Sequence, residues 1–303
     1  MIRQKIGPFN MGLSFQARRM SGFPQEFQMF TVSANGANIP ALGFGTFRMP
    51  DEDVFRVLPE ALKLGFRHVD TAQIYGNEAS VGELIAKSGI PRADIFLTTK
   101  VWVDKVGHNA FIASVDESLR KLKTDHVDLL LLHWPQSEMP LADRIGALND
   151  LVKAGKVKNI GVSNFSTPLM AEAVKLSDAP IATNQVEYHP YLSQAKVLGE
   201  ARKHGMSLTA YYLMADGKVP SDPLLKEIGA KHGKTAAQVV LRWAIQQKDV
   251  VALSKTATVS RLAENFDVFD FALSLDEMEA IHGLAHPNGR IVNPGHLAPE
   301  WDK

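Results

Sequence analysis

From about residue 40 to residue 266 the chain alternates short apolar runs with longer amphipathic segments, and this alternation restricts its possible folds more than any single motif does. The apolar runs end at Gly45, Asp70, Lys100, His133, Ser163, Gln185, Ala210 and Leu253. Between them lie segments such as 52–64, 78–88, 108–122, 140–154 and 193–204, whose apolar residues recur at helical spacing. In 108–122, Phe111, Val115, Leu119 and Leu122 form one stripe while Lys and Glu take other faces. Short strands joined by helical crossovers pair in parallel, because a parallel neighbour is reached only by a long connection. Eight strand ends imply eight βα units, and closing them into a barrel takes about 250 residues, close to the length available. An open doubly wound sheet would alternate in the same way, but no strand is followed by G-x-G-x-x-G. Gly43-Phe44-Gly45 runs into Thr46-Phe47-Arg48, which breaks that fingerprint. The sequence therefore predicts an α/β fold, a (β/α)₈ TIM barrel.

Two further elements flank the predicted barrel. Before it, the alternating residues from Phe30 to Ser33, then Asn35-Gly36, then a run to Ile39 predict a β-hairpin, since both turn positions tolerate positive φ. After it come a short helix over 275–282 and a Pro- and Gly-containing tail, 286–303, able to lie across the barrel mouth. No linker or composition shift divides the chain after residue 40, so 29–303 reads as one domain. Residues 1–28 differ. Arg3, Lys5, Arg18 and Arg19 precede the first acid, Glu26, and no period is visible. Such a composition superficially matches a transit peptide. The expectation is instead a disordered N-terminal extension, as is common for termini that nothing ties down.

Composition narrows the partners. With 33 basic against 33 acidic residues, nothing marks the chain for neutralising a nucleic-acid backbone or an anionic membrane. The absence of cysteine removes disulfides, thiolate metal sites and a cysteine nucleophile. No apolar run approaches the ~18 residues of a membrane span. A soluble, cytoplasmic, monomeric protein acting on a small molecule is the expectation.

In such a barrel, reactive groups project from the C-terminal ends of the strands. Here one run ends in Asp70, the next in Lys100 and the following one in His133, with Tyr75 in the loop past Asp70. A phenol is a poor acid at neutral pH, but a neighbouring ammonium lowers its pKa. Lys100 would serve as that ammonium, Asp70 would keep it charged and oriented, and His133 would hydrogen-bond a carbonyl oxygen. Tyr75 is then a proton donor to a developing alkoxide. The group has no hydride source of its own, which a nicotinamide would supply. Taken singly, each residue has a blander structural role: a cap, a solvated lysine, a packed tyrosine, a core histidine. Four together at three successive strand ends favour chemistry.

Several long stretches carry a family resemblance. Gly65 to Ala72 with Tyr75, Asn77 and Glu78 forms one; Ser118-Leu119 through Asp128 to His133-Trp134-Pro135 a second; Ile160 to Phe165 a third. Together they resemble the signatures of the aldo-keto reductase superfamily from residue 30 onward. That resemblance implies the Asp70, Tyr75, Lys100 and His133 tetrad and an NADPH site. In it, Ser163, Asn164 and Gln185 would hold the carboxamide and Tyr211 would stack on the nicotinamide. Lys255, Thr256, Arg261, Glu264 and Asn265 resemble the adenosine-phosphate segment. Two cations and a hydroxyl suit a 2′-phosphate better than a bare ribose.

The chain departs from the common pattern at Tyr211-Tyr212-Leu213-Met214, where many relatives carry Tyr-Ser-Pro-Leu, and at Ser254, where many carry Pro. With the ending from Pro294 to Asp302, this resembles the 2,5-diketo-D-gluconate reductase B branch. Keto-sugar acids such as 2,5-diketo-D-gluconate, or small aldehydes such as methylglyoxal, are the substrates implied. Phe47, Trp102 and Trp134 are expected to wall the mouth, with Arg290 meeting a carboxylate or pairing with a surface acid. Two other readings compete. One is a metal-dependent barrel hydrolase using Glu187 and His189 beside His133, although Asn184 to Pro190 is accounted for by a family motif. The other is an NADPH-binding regulatory barrel without catalysis.

Overall fold

The computed structural model describes residues 29–302. Expectations about residues 1–28 lie outside that range. A hairpin of β1 (Thr31–Ala34) and β2 (Ala37–Pro40) turns at Asn35-Gly36, both with positive φ. Eight parallel strands then close into a barrel: β3 (Leu42–Gly45), β4 (His68–Asp70), β5 (Phe96–Val101), β6 (Val127–Leu132), β7 (Val157–Ser163), β8 (Ile181–Glu187), β9 (Ser207–Tyr211) and β10 (Val250–Ser254), with β10 beside β3. Each strand ends within two residues of the position where its apolar run stops.

Helices cover the outside: α1 (Asp51–Leu64), α2 (Glu78–Lys87), α3 (His108–Leu122), α4 (Leu141–Lys153), α5 (Thr167–Leu176), α6 (Ala195–Lys203), α7 (Pro223–His232), α8 (Ala236–Gln246), α9 (Ser260–Phe266) and α10 (Leu275–His282). Their boundaries have local causes. Thr235 with Gln238, and Ser274 with Glu277, form reciprocal capping boxes at the starts of α8 and α10. Gly65 ends α1 in the left-handed conformation. The stripe Phe111, Val115, Leu119 and Leu122 buries against the barrel as its spacing requires. The expectation of one helix per crossover fails between β9 and β10. There α7 and α8 follow one another, because Lys234-Thr235 supplies a new helix start immediately after the stop at Gly233.

The hairpin seals the N-terminal end of the barrel. Asn35 Nδ2 donates to the carbonyls of Ile181 (2.7 Å) and His204 (2.9 Å), at the feet of β8 and β9. The interior is close-packed; a Cβ on Gly43 would stand 2.7 Å from both His68 Nδ1 and Leu253 Cδ2. With one end plugged and the middle filled, the barrel itself opens to a cavity at its C-terminal mouth. No helix among the described residues is long and apolar enough to cross a membrane.

Candidate active site

Strand register brings the reactive groups together. Asp70 ends β4 opposite Thr98 of β5, so Lys100, two residues further along β5, faces the same way one step nearer the mouth. Lys100 Nζ donates to Asp70 Oδ1 (2.5 Å) and to the Thr71 carbonyl (2.8 Å). It lies 3.3 Å from the Tyr75 hydroxyl, carried by a 3₁₀ turn over Gln73–Tyr75. The second oxygen of Asp70 accepts from Gln185 Nε2 of β8 (2.8 Å). His133 follows β6, its ring edge-on to Tyr75 at 5.6 Å and to Trp102 at 5.2 Å. Asp70, Tyr75 and His133 line the floor of one cavity of about 640 Å³, within the usual range for small-ligand sites, and Lys100 lies buried behind them in contact with Asp70 and Tyr75.

Lys100 is completely buried, and burial lowers its pKa while Asp70 opposes that shift. The expected lowering of the Tyr75 pKa by Lys100 is not what this arrangement produces. Burial first, and then the Asp70 carboxylate and Tyr211, push the phenol well above its ordinary value. Burial out of water is the main reason, and Lys100, held 2.5 Å from the Asp70 carboxylate, does not offset it. Burial and the charge of Lys100 hold the His133 imidazole well below its ordinary value, so it is neutral. Its Nδ1 is buried without a hydrogen-bond partner.

The predicted nicotinamide residues lie beside this group. Ser163 Oγ donates to the Gln185 carbonyl (2.7 Å), and Asn164 Nδ2 donates to the His133 carbonyl (3.0 Å). The Tyr211 hydroxyl donates to Asn164 Oδ1 (2.7 Å), fixing its ring against the cavity. Of the adenosine-phosphate segment, Lys255 and Asn265 line the cavity. Thr256, Arg261 and Glu264 stand apart from the lining: Thr256 Oγ1 accepts from Thr258 N, Glu264 from Thr235 Oγ1, and Arg261 is exposed at the start of α9. The donor set fits a nicotinamide dinucleotide. Gln185 keeps unused amide capacity after its bond to Asp70, Tyr211 offers a flat wall, and the Lys255 and Arg48 cations both line the cavity, where they can meet phosphate.

Of the residues expected to meet substrate, Phe47, Trp102 and Trp134 line the cavity. Arg290 does not. Its guanidinium lies 3.6 Å from the carboxylate of the fully buried Glu187, instead of a surface acid, and stacks on Trp301 at 3.6 Å. Glu187 and His189, the candidate metal ligands, bond one another at 2.9 Å, and Glu187 also accepts from tail amides. The sequence reading missed Arg48, Ile74, Ala215 and Asp216; it marked Leu213-Met214 and the tail without assigning Leu213, Met214, Val292, Pro294 or Leu297 to the cavity. Arg48 could have been found, since it follows a strand end at the mouth. The departing residue Tyr212 adopts positive φ, bonds Asp216 and approaches Arg48 at 3.5 Å, so the turn folds over the cavity edge.

Residues 41–286 match the model of a family described as Aldo/keto reductase. Methylglyoxal reductase DkgB of Escherichia coli O157:H7 is 44% identical over 267 residues, which cover 87% of this chain and 99% of that protein. A crystal structure described as a 2,5-diketo-D-gluconic acid reductase B is 74% identical, covers 91% of this chain and 98% of its own, and superposes with a TM-score of 0.90. A Gox0644 variant solved in complex with NADPH is 35% identical with a TM-score of 0.81, covering 88% of this chain and 97% of its own.

Proposed function

The chain belongs to the aldo/keto reductase family and is an oxidoreductase acting on carbonyl compounds, and from that premise we propose that it reduces small aldehydes and ketones with NADPH, Tyr75 giving the proton. The observation that carries this reading is the contact of Tyr75 with a buried lysine–aspartate pair on a cavity floor. A reduced nicotinamide, when bound, supplies the hydride. Everything else falls to this chain's side chains.

His133, neutral by burial, can orient the carbonyl oxygen without placing a second cation beside Lys100. Tyr75, kept protonated, donates a hydrogen bond to that oxygen and surrenders its proton only as alkoxide character develops. Lys100 then stabilises the phenolate through its 3.3 Å contact, and Asp70 keeps the ammonium aimed. Gln185 ties Asp70 to the proposed carboxamide wall of Ser163 and Asn164, so proton donor and hydride source are set relative to one another. Lys255 and Arg48, both on the cavity lining, would take the phosphates.

Substrate choice follows from the walls. Phe47, Trp102 and Trp134 admit small or flat carbonyl compounds. With Arg290 engaged on Glu187, the cavity favours small aldehydes such as methylglyoxal, the substrate named for the DkgB relative. Keto-sugar acids, named for the neighbouring crystal structure, would enter without a contact to Arg290. NADPH oxidation across small aldehydes, keto acids and keto-sugar acids tests this. Turnover is expected, with methylglyoxal among the better substrates. A panel that is inert throughout, with NADPH bound, would leave a binding barrel without catalysis.

A further inference from the structure

The tail after α10 is held across the mouth at two points outside the tetrad. At the first, the carboxylate of fully buried Glu187, the last residue of β8, accepts the main-chain amides of Ile291 (2.7 Å) and Val292 (3.0 Å). His189 Nε2 pairs with it at 2.9 Å and Arg290 Nη1 lies at 3.6 Å. At the second, the carboxylate of Asp302 accepts from Thr167 N (3.0 Å) and Thr167 Oγ1 (2.6 Å) at the first turn of α5. Two inner contacts stiffen the span. Arg290 lies on the Trp301 ring, and Trp301 Nε1 donates to Asn293 Oδ1 (2.8 Å). The approach is tight as well: a Cβ on Gly289 would stand 1.7 Å from the Tyr191 carbonyl oxygen. Between the anchors, Val292, Pro294 and Leu297 form one wall of the cavity.

We propose that Glu187 and Asp302 are positioning residues, a two-carboxylate clamp that fixes this wall and thereby sets affinity for substrates long enough to reach it. A loose strap would have to be ordered by the substrate itself, raising KM. A strap already pinned by a buried carboxylate on two main-chain amides carries no such cost, and releasing it would leave buried polar groups unpaired. A small aldehyde touching only the tetrad and Trp102 would not feel the difference. The inference rests on reading the cavity as the carbonyl site.

Asp302→Asn, Glu187→Gln and Gly289→Ala, each in the full chain, release the strap by three independent routes. The readouts are hydrogen exchange over 288–302, NADPH affinity by fluorescence titration, and KM and kcat for methylglyoxal and for a six-carbon keto-sugar acid. The expected result is lost exchange protection in the strap and a KM for the six-carbon substrate raised about fivefold or more. Its kcat, both constants for methylglyoxal, and NADPH affinity should stay within about twofold. Unchanged protection overturns the clamp, as does an equal fall in kcat for both substrates, which would make Glu187 a general packing residue. If Glu187→Gln does not fold, Asp302→Asn, at a partly exposed position, decides the question. A wild-type protein that reduces neither compound overturns the functional reading instead, while the exchange measurement still tests the clamp.

Discussion

Asp70 and Asp128 are both buried carboxylates on neighbouring parts of one sheet, and both are paired with cations, yet they stand at opposite ends of the barrel in opposite circumstances. Asp128, near the start of β6, accepts from Leu97 N (3.0 Å) and pairs with Arg92 (2.8 Å) and Lys158 (2.9 Å). Every partner is permanently a donor, and Lys158 is half exposed. Asp70 shares a completely buried lysine with a phenol that faces the cavity. The same residue types thus make a structural tie at the closed end and a proton-handling group at the open one. What separates them is whether the network ends in a group that can exchange a proton with a ligand.

The largest expected effect tests that separation directly. Tyr75→Phe removes the proton donor and should lower kcat for carbonyl reduction by about 10³-fold or more, with NADPH affinity and thermal stability nearly unchanged. Asp128→Asn should do the reverse. It leaves Arg92 and Lys158 without a full counter-charge and should cost about 1–3 kcal/mol, less than a fully buried pair because Lys158 is solvated. Its kcat should match wild type. Denaturant unfolding and steady-state kinetics on both variants decide; a stable, fully active Tyr75→Phe protein would erase the distinction.

A smaller effect sharpens the electrostatics of the open end. Lys255→Ala should weaken NADPH by the ~1.5–3 kcal/mol of a charge-assisted hydrogen bond, roughly tenfold to a hundredfold, and NADH much less. Arg261→Ala should follow the same pattern more weakly, since Arg261 is exposed outside the cavity lining. Fluorescence titration with both cofactors checks it. Equal losses for NADPH and NADH would remove 2′-phosphate recognition from the reading.

Much of this was legible before any coordinates, for identifiable reasons. A strand buried on both faces is an apolar run that must turn polar where it meets solvent, so Asp70, Lys100 and His133 announced the mouth. The hairpin was legible because Asn35-Gly36 can adopt the positive φ that a tight turn requires. What stayed hidden depends on contacts remote in sequence. The amides that hold Glu187 lie more than a hundred residues away, so this acid looked like part of a motif or a metal ligand. Arg290 looked available for a substrate because nothing local reveals Glu187 beneath it. The upward direction of the Tyr75 shift was hidden because a sequence shows the type of a neighbour but neither the depth of burial, which is the main cause, nor how closely Asp70 holds Lys100.

The smallest expected effect is in the pH profile. Tyr75 acts as an acid and must be protonated; its pKa is held above the ordinary 10.0, so alkali removes its proton only beyond that value. His133 acts as a neutral ring; its pKa is held below the ordinary 6.5, so acid charges it only beneath that value. Neither group changes state in between, and kcat/KM for an uncharged aldehyde should vary by less than about threefold from about pH 6.5 to about pH 9. An alkaline limb inside that range would mean that the phenol ionises early and that Lys100 acts on it as a net positive charge in spite of Asp70. The Lys100→Met/Asp70→Asn double variant separates the two accounts. If the pair acts on the phenol as a net positive charge, removing both charges moves the limb upward; if Asp70 cancels Lys100, the limb stays in place and kcat falls through loss of the 3.3 Å contact that stabilises the phenolate.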